Sequence, residues 1–109
     1  MDSPVSHKVG ILLARPPSHE NATRAHNVAK EALDAGHDVY LYLIDEGVKN
    51  LQSPFLQQLA HSGAKVFACA YGCQQHHVST ANLDPAISLS GLVILSSIID
   101  ACEPFLSFT

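Results

Sequence analysis

Short, continuous apolar runs alternate along this chain with longer stretches whose apolar residues recur three or four positions apart, and each change of period marks a strand giving way to a helix. The first run, Lys8-Val9-Gly10-Ile11-Leu12-Leu13-Ala14, predicts a strand buried on both faces, because a half-buried strand would alternate apolar with polar residues. Arg15-Pro16-Pro17-Ser18 stops it. Ser18 is placed to cap a helix and Glu20 suits the positive end of its dipole. Ala22, Ala25, Val28, Ala29, Ala32 and Leu33 then follow at helical spacing until Gly36 terminates them. Asp38-Val39-Tyr40-Leu41-Tyr42-Leu43-Ile44-Asp45 is rich in strand formers and predicts a second strand, with an aspartate at each end where it meets a loop. Ser53-Pro54 predicts an N-cap followed by proline at the first helical position, with Phe55, Leu56, Leu59 and Ala60 on one apolar face and Gly63 as the stop. Lys65 to Cys69 predicts a third strand.

Strand, helix, strand, helix, strand within the first 70 residues leaves connections of the length that right-handed βαβ crossovers use, so the expected sheet is parallel. Further on, Asn82-Leu83-Asp84-Pro85 reads as a turn and Ile87 to Leu89 as a short edge strand. Leu92 to Ile99 fits helix or strand by periodicity alone. Pro104 separates it from Phe105 to Phe108, and continued alternation assigns a helix from about Gly91 to Ala101 and a last strand at Phe105 to Phe108. No repeat, low-complexity tract or linker interrupts the pattern. A length of 109 residues is that of one ordinary domain, so residues 1–109 are expected to form a single α/β unit.

Composition narrows the function classes. A hydrophobic content of 47% is high for so small a chain, which points either to strands buried on both faces or to apolar surface covered by partner subunits. A net charge of −4 with only six Lys+Arg leaves no basic stripe for nucleic acid. No apolar run reaches the roughly 18 residues that cross a bilayer, and Met1-Asp2-Ser3-Pro4 does not open a signal peptide, so the expected location is the cytoplasm. In that reducing compartment three cysteines are expected to be free, metal-bound or redox-active rather than a disulfide framework.

The chemistry concentrates in Cys69-Ala70-Tyr71-Gly72-Cys73-Gln74-Gln75-His76-His77, directly after the apolar Val66-Phe67-Ala68. Ligands of open parallel sheets bind outside the carboxyl ends of the strands, which is where Cys69 falls. If Tyr71 to Val78 opens a helical turn, its unpaired amides face the sulfur and favour thiolate, the species that attacks electrophilic sulfur and can hold an extra sulfur atom as a persulfide. The residue pattern equally fits a buried core thiol at Cys69. Cys73, four residues on, would turn to the same side of a helix, within reach for a disulfide or a relayed sulfur, but the spacing is not the redox CxxC. Cys102, in the apolar C-terminal segment, reads as a small core residue. His76 and His77 could join the two cysteines as zinc or copper ligands, or be plain polar loop residues; adjacent histidines on a helix point apart.

Other site classes lack their parts. The first strand is followed by Ala14-Arg15-Pro16-Pro17-Ser18 instead of GxGxxG, and its prolines remove amides that a phosphate cradle needs. There is no GxSxG elbow and no evident carboxylate pair. Arg15, Ser18 and Arg24 lie near the carboxyl end of the first strand, where they could hold an anion or simply be solvated. No cofactor is expected.

These segments resemble the DsrE/DsrF-like family, which includes TusD-type and YchN-type sulfur-relay subunits. Ala29-Lys30-Glu31-Ala32-Leu33-Asp34-Ala35-Gly36-His37-Asp38-Val39-Tyr40-Leu41-Tyr42-Leu43 is similar to the family's helix and GHxV strand, with Asp45-Glu46-Gly47-Val48 after it and Gly63-Ala64-Lys65-Val66 leading into Cys69. Ile98 to Phe108 resembles the last helix and strand, with Cys102 where an aspartate is usual, and His76-His77 stands where Arg-Gly is common. The resemblance implies a flavodoxin-like, three-layer fold with a sheet of four or five strands, assembled into homotrimers or hexamers. It implies that Cys69 accepts sulfane sulfur as a persulfide from a donor protein and passes it to an acceptor thiol, with Cys73 as a second thiol. The alternative is a noncatalytic oligomeric binding or assembly module of the same fold, holding Zn or Cu through Cys69, Cys73, His76 and His77.

Overall fold

A computed structural model describes residues 7–109; Met1-Asp2-Ser3-Pro4 lies outside them. Five strands, β1 (Lys8–Leu13), β2 (Asp38–Leu43), β3 (Lys65–Cys69), β4 (Ile87–Ser90) and β5 (Phe105–Phe108), form one sheet in the order β4-β3-β2-β1-β5. Every neighbouring pair is parallel. The helices are α1 (Glu20–Asp34), α2 (Pro54–His61), α3 (Ala70–Gln75) and α4 (Leu92–Ala101), so the fold is α/β and flavodoxin-like.

The strand order dictates the layers. From β1 to β4 each crossover steps the same way across the sheet, whereas the connection through α4 returns past β1 to the opposite edge. Right-handed crossovers therefore put α1 and α2 on one face and α4 on the other. Under α1, parallel register aligns Val9 with Val39, Ile11 with Leu41 and Leu13 with Leu43, and all six are buried. Gly10, Leu12, Tyr40 and Tyr42 point the other way. A side chain at Gly10 would run into the Phe105 ring and Cys102, so the return to β5 requires glycine there.

Three local expectations need correction. Ser18 does not cap α1: a turn closed by the His19 amide on the Pro16 carbonyl shifts the helix start, and His19 caps it by accepting from the Asn21 amide. Phe55 is 51% exposed rather than on the buried face of α2, where Leu56, Leu59 and Ala60 fill the space. The segment after β2 is not a simple loop but a 3-10 helix, Asp45–Gln52, whose Asn50 is fully buried and donates to the carbonyls of Arg15 and Gly47. That helix lies so close to the end of β1 that a side chain at Gly47 would strike the Leu13 carbonyl.

Candidate functional site

Cys69 is the last residue of β3 and also the N-cap of α3, so one residue ends a central strand and begins the turn above it. Its extended backbone lets the sulfur accept the Gly72 N–H at 3.4 Å. The side chain is 5% exposed, and what reaches it is a cavity of about 260 Å³ lined by Ile44, Asp45, Cys69, Tyr71, Gly72, Gln75, His76 and Leu92. Three elements build that cavity: the start of the 3-10 helix, α3, and the first residue of α4. Gly72 lets them approach, because a Cβ there would lie only 3.3 Å from the Asp45 nitrogen and 3.2 Å from a Val48 methyl.

An Asp–His pair sits on an otherwise apolar wall. His76 Nε2 lies 2.6 Å from Asp45 Oδ1, and Asp45 reaches it from a left-handed backbone, φ +51°. Such a conformation is uncommon for a residue with a side chain, although aspartate tolerates it better than most. Beneath the sulfur, Tyr42 is fully buried and donates its hydroxyl to the Gly91 carbonyl at 3.0 Å. Burial, with the adjacent Cys69 sulfur pushing the same way, lifts the Tyr42 hydroxyl from 10.0 to about 12. The hydroxyl is thus a fixed, neutral donor between β2 and the start of α4.

A model of the DsrE/DsrF-like family matches residues 7–108. The chain belongs to the DsrE/DsrF-like family. Among solved structures, the ychN protein from E. coli superposes with a TM-score of 0.81 at 19% sequence identity, over 95% of this chain and 100% of that one, and so shares its fold. No curated protein matches the chain.

In this DsrE/DsrF-like chain both sequence-predicted thiols are free and buried. Cys73 is 2% exposed and does not line the Cys69 cavity; burial raises its thiol above the ordinary range, and the neighbouring Cys69 adds to that. Cys102 is also buried and raised by burial, as a core thiol would be. The Cys/His cluster does not close: among the described residues no three His, Cys, Asp or Glu side chains are arranged to hold a metal ion. His77, at φ +55°, turns out of the helix and is exposed. Arg15, Ser18 and Arg24 are exposed and line no part of the cavity; Arg24 pairs instead with Glu20 and Asn21. Sequence reasoning missed Tyr42, read only as a strand former, and Asp45, read only as the mark of a strand end. Their spacing from Cys69 carries no local signal. No helix among the described residues is long and apolar enough to cross a membrane.

Proposed function

We propose that the protein is a cytoplasmic sulfur carrier in which Cys69 accepts sulfane sulfur as a persulfide and passes it to the thiol of a partner protein. The observation that carries this reading is the Cys69 sulfur at the end of β3, facing a half-open cavity of about 260 Å³ and already accepting one backbone N–H. An added sulfur atom would occupy the cavity, and the Gly72 amide supports the anion left when it departs. Membership of a family that includes sulfur-relay subunits points the same way. Cys73 serves as a second, shielded thiol: as a buried neutral group it is a poor nucleophile.

The carrier works as a homotrimer or hexamer through the α4 face. Leu92, Val93, Ile94 and Ile99 are exposed on that helix, with Leu89 just before it, and this is the apolar surface a second copy of the chain would cover. The test is intact-protein mass spectrometry after incubation with a cysteine desulfurase and cysteine. One sulfur gained by the native chain and by Cys73→Ser, but not by Cys69→Ser, is the expected result. Sulfur retained in Cys69→Ser would refute the assignment.

A further inference from the structure

The pairing of Asp45 with His76 on the wall of the Cys69 cavity adds little to folding stability. It joins residues 31 apart, Asp45 is 67% exposed at its side chain and His76 only 21%, and exposed ion pairs contribute little to folding. Yet Asp45 adopts a left-handed backbone in making it, and backbone in sparsely populated regions collects at functional sites. Asp45 holds Nε2, which leaves Nδ1 as the ring nitrogen without a hydrogen-bond partner among the described residues. Among the described residues no hydrogen bond joins His76 to the Cys69 sulfur, which is held by Gly72. A persulfide extends the side chain by one S–S bond, about 2.0 Å, into the space His76 lines.

We propose that His76, oriented by Asp45, is the acid that protonates the outer sulfur of a Cys69 persulfide and so makes it ready for transfer. The inference rests on the carrier reading and adds the group that controls release. A persulfide anion carries its negative charge on the atom an incoming thiolate must attack, so it resists transfer. In the first step imidazolium Nδ1 gives its proton to the terminal sulfur, leaving neutral His76 with Nε2–H still on Asp45, and Cys69–S–SH. In the second, the acceptor thiolate attacks the outer sulfur and forms a new S–S bond. The bond to Cys69 breaks, and its electron pair stays on the Cys69 sulfur as thiolate facing the Gly72 amide. The transferred sulfur keeps its oxidation level and no oxidant or reductant is needed. The other titratable groups in the cavity are Tyr71 on α3 and Cys69 itself; Tyr42 lies beneath and donates to Gly91.

The experiment loads the native chain, His76→Gln and Asp45→Asn with sodium tetrasulfide and follows discharge to glutathione by intact mass between about pH 5.5 and 8. General acids contribute roughly 10²–10⁴-fold. We expect His76→Gln to load on Cys69 normally but discharge at least tenfold slower at pH 6, with a rate that only rises with pH. The native chain should show a bell. Asp45→Asn, which keeps a residue that accepts the left-handed backbone, should load normally but discharge more slowly than native at pH 6, because the ring has lost the carboxylate that holds Nε2. Loading with a discharge rate within twofold of native and an unchanged profile in His76→Gln overturns this inference alone. A native discharge rate in Asp45→Asn overturns the orienting role of Asp45. Absence of sulfur on native Cys69 overturns the carrier reading beneath it.

Discussion

The two faces of one sheet are finished to different degrees. Toward α1 and α2, Ile11, Leu13, Leu41, Leu43 and Val66 are buried by the chain's own helices. Toward α4, a single helix covers the strands and buries only Ile98, while Val93 stays 80% exposed and Leu92 63%. Both faces are apolar, so hydrophobicity does not separate them; the number of crossovers on each side does. Three crossovers run one way across the sheet and one returns. The chain therefore completes the first face itself and leaves apolar residues of the second, Leu92, Val93 and Ile94 among them, exposed. The cavity of Cys69 sits at the carboxyl edge where the two meet, bounded by Asp45 from the 3-10 helix on one side and Leu92 of α4 on the other.

The comparison breaks first at Leu41. Leu41→Ala on the finished face should cost about 2–5 kcal/mol in urea unfolding, and a loss below about 1 would mean that face is looser than its burial indicates. Asn50→Ala should cost about 1–3 kcal/mol by the same measurement, because both carbonyls its amide serves, Arg15 and Gly47, lose a buried donor. Tyr42→Phe, on the α4 side, should cost only about 0.5–1.5 kcal/mol at neutral pH, since the exposed Gly91 can turn its carbonyl to water. Its pH behaviour is more telling. The hydroxyl stays protonated to about 12 when folded and to 10.0 when unfolded, so the unfolded chain releases its proton first. Stability must fall between those pH values, and Tyr42→Phe should flatten that fall in unfolding midpoints taken from pH 9 upward.

The smallest effect on the folding of one chain belongs to Val93→Ala, within about 0.5 kcal/mol, because that side chain has little of its own chain to lose. Any larger loss should depend on protein concentration, as it does when a partner copy covers the residue. Light scattering on Val93→Asp should show a shift to smaller species, and an unchanged mass would remove α4 from the interface. At the acid end, Asp84 is held low by the Ala86 amide and then by His61, so its contribution is present above the ordinary carboxylate range and lost as pH falls. Asp84→Asn should flatten that acid limb in the same unfolding series.

Much of the architecture was legible in local pattern. β3 and β5 occupy the segments that periodicity assigns, Lys65–Cys69 and Phe105–Phe108, and the ambiguous apolar stretch before Pro104 is the helix α4. Alternation with short connections was enough to predict a parallel sheet, because only crossovers join parallel neighbours. Phe55 was misread because a helical repeat reports which residues share a stripe but not how wide a stripe the neighbours cover. The 3-10 helix Asp45–Gln52 was missed because its cause is distant: Asn50 is anchored by the Arg15 carbonyl, 35 residues away.

For the site, the sequence by itself determined that a cysteine ends the third strand and that a turn with a second cysteine follows. Those facts depend on periods of two and 3.6 residues, which act over one element at a time. Only the tertiary structure decided that Cys73 lies outside the cavity, that Tyr42 supports the start of α4, and that Asp45 holds His76 across 31 residues. Such pairs depend on strand order and on where glycines let elements approach, and a chain that reverses direction across its own sheet brings them together without leaving a local mark.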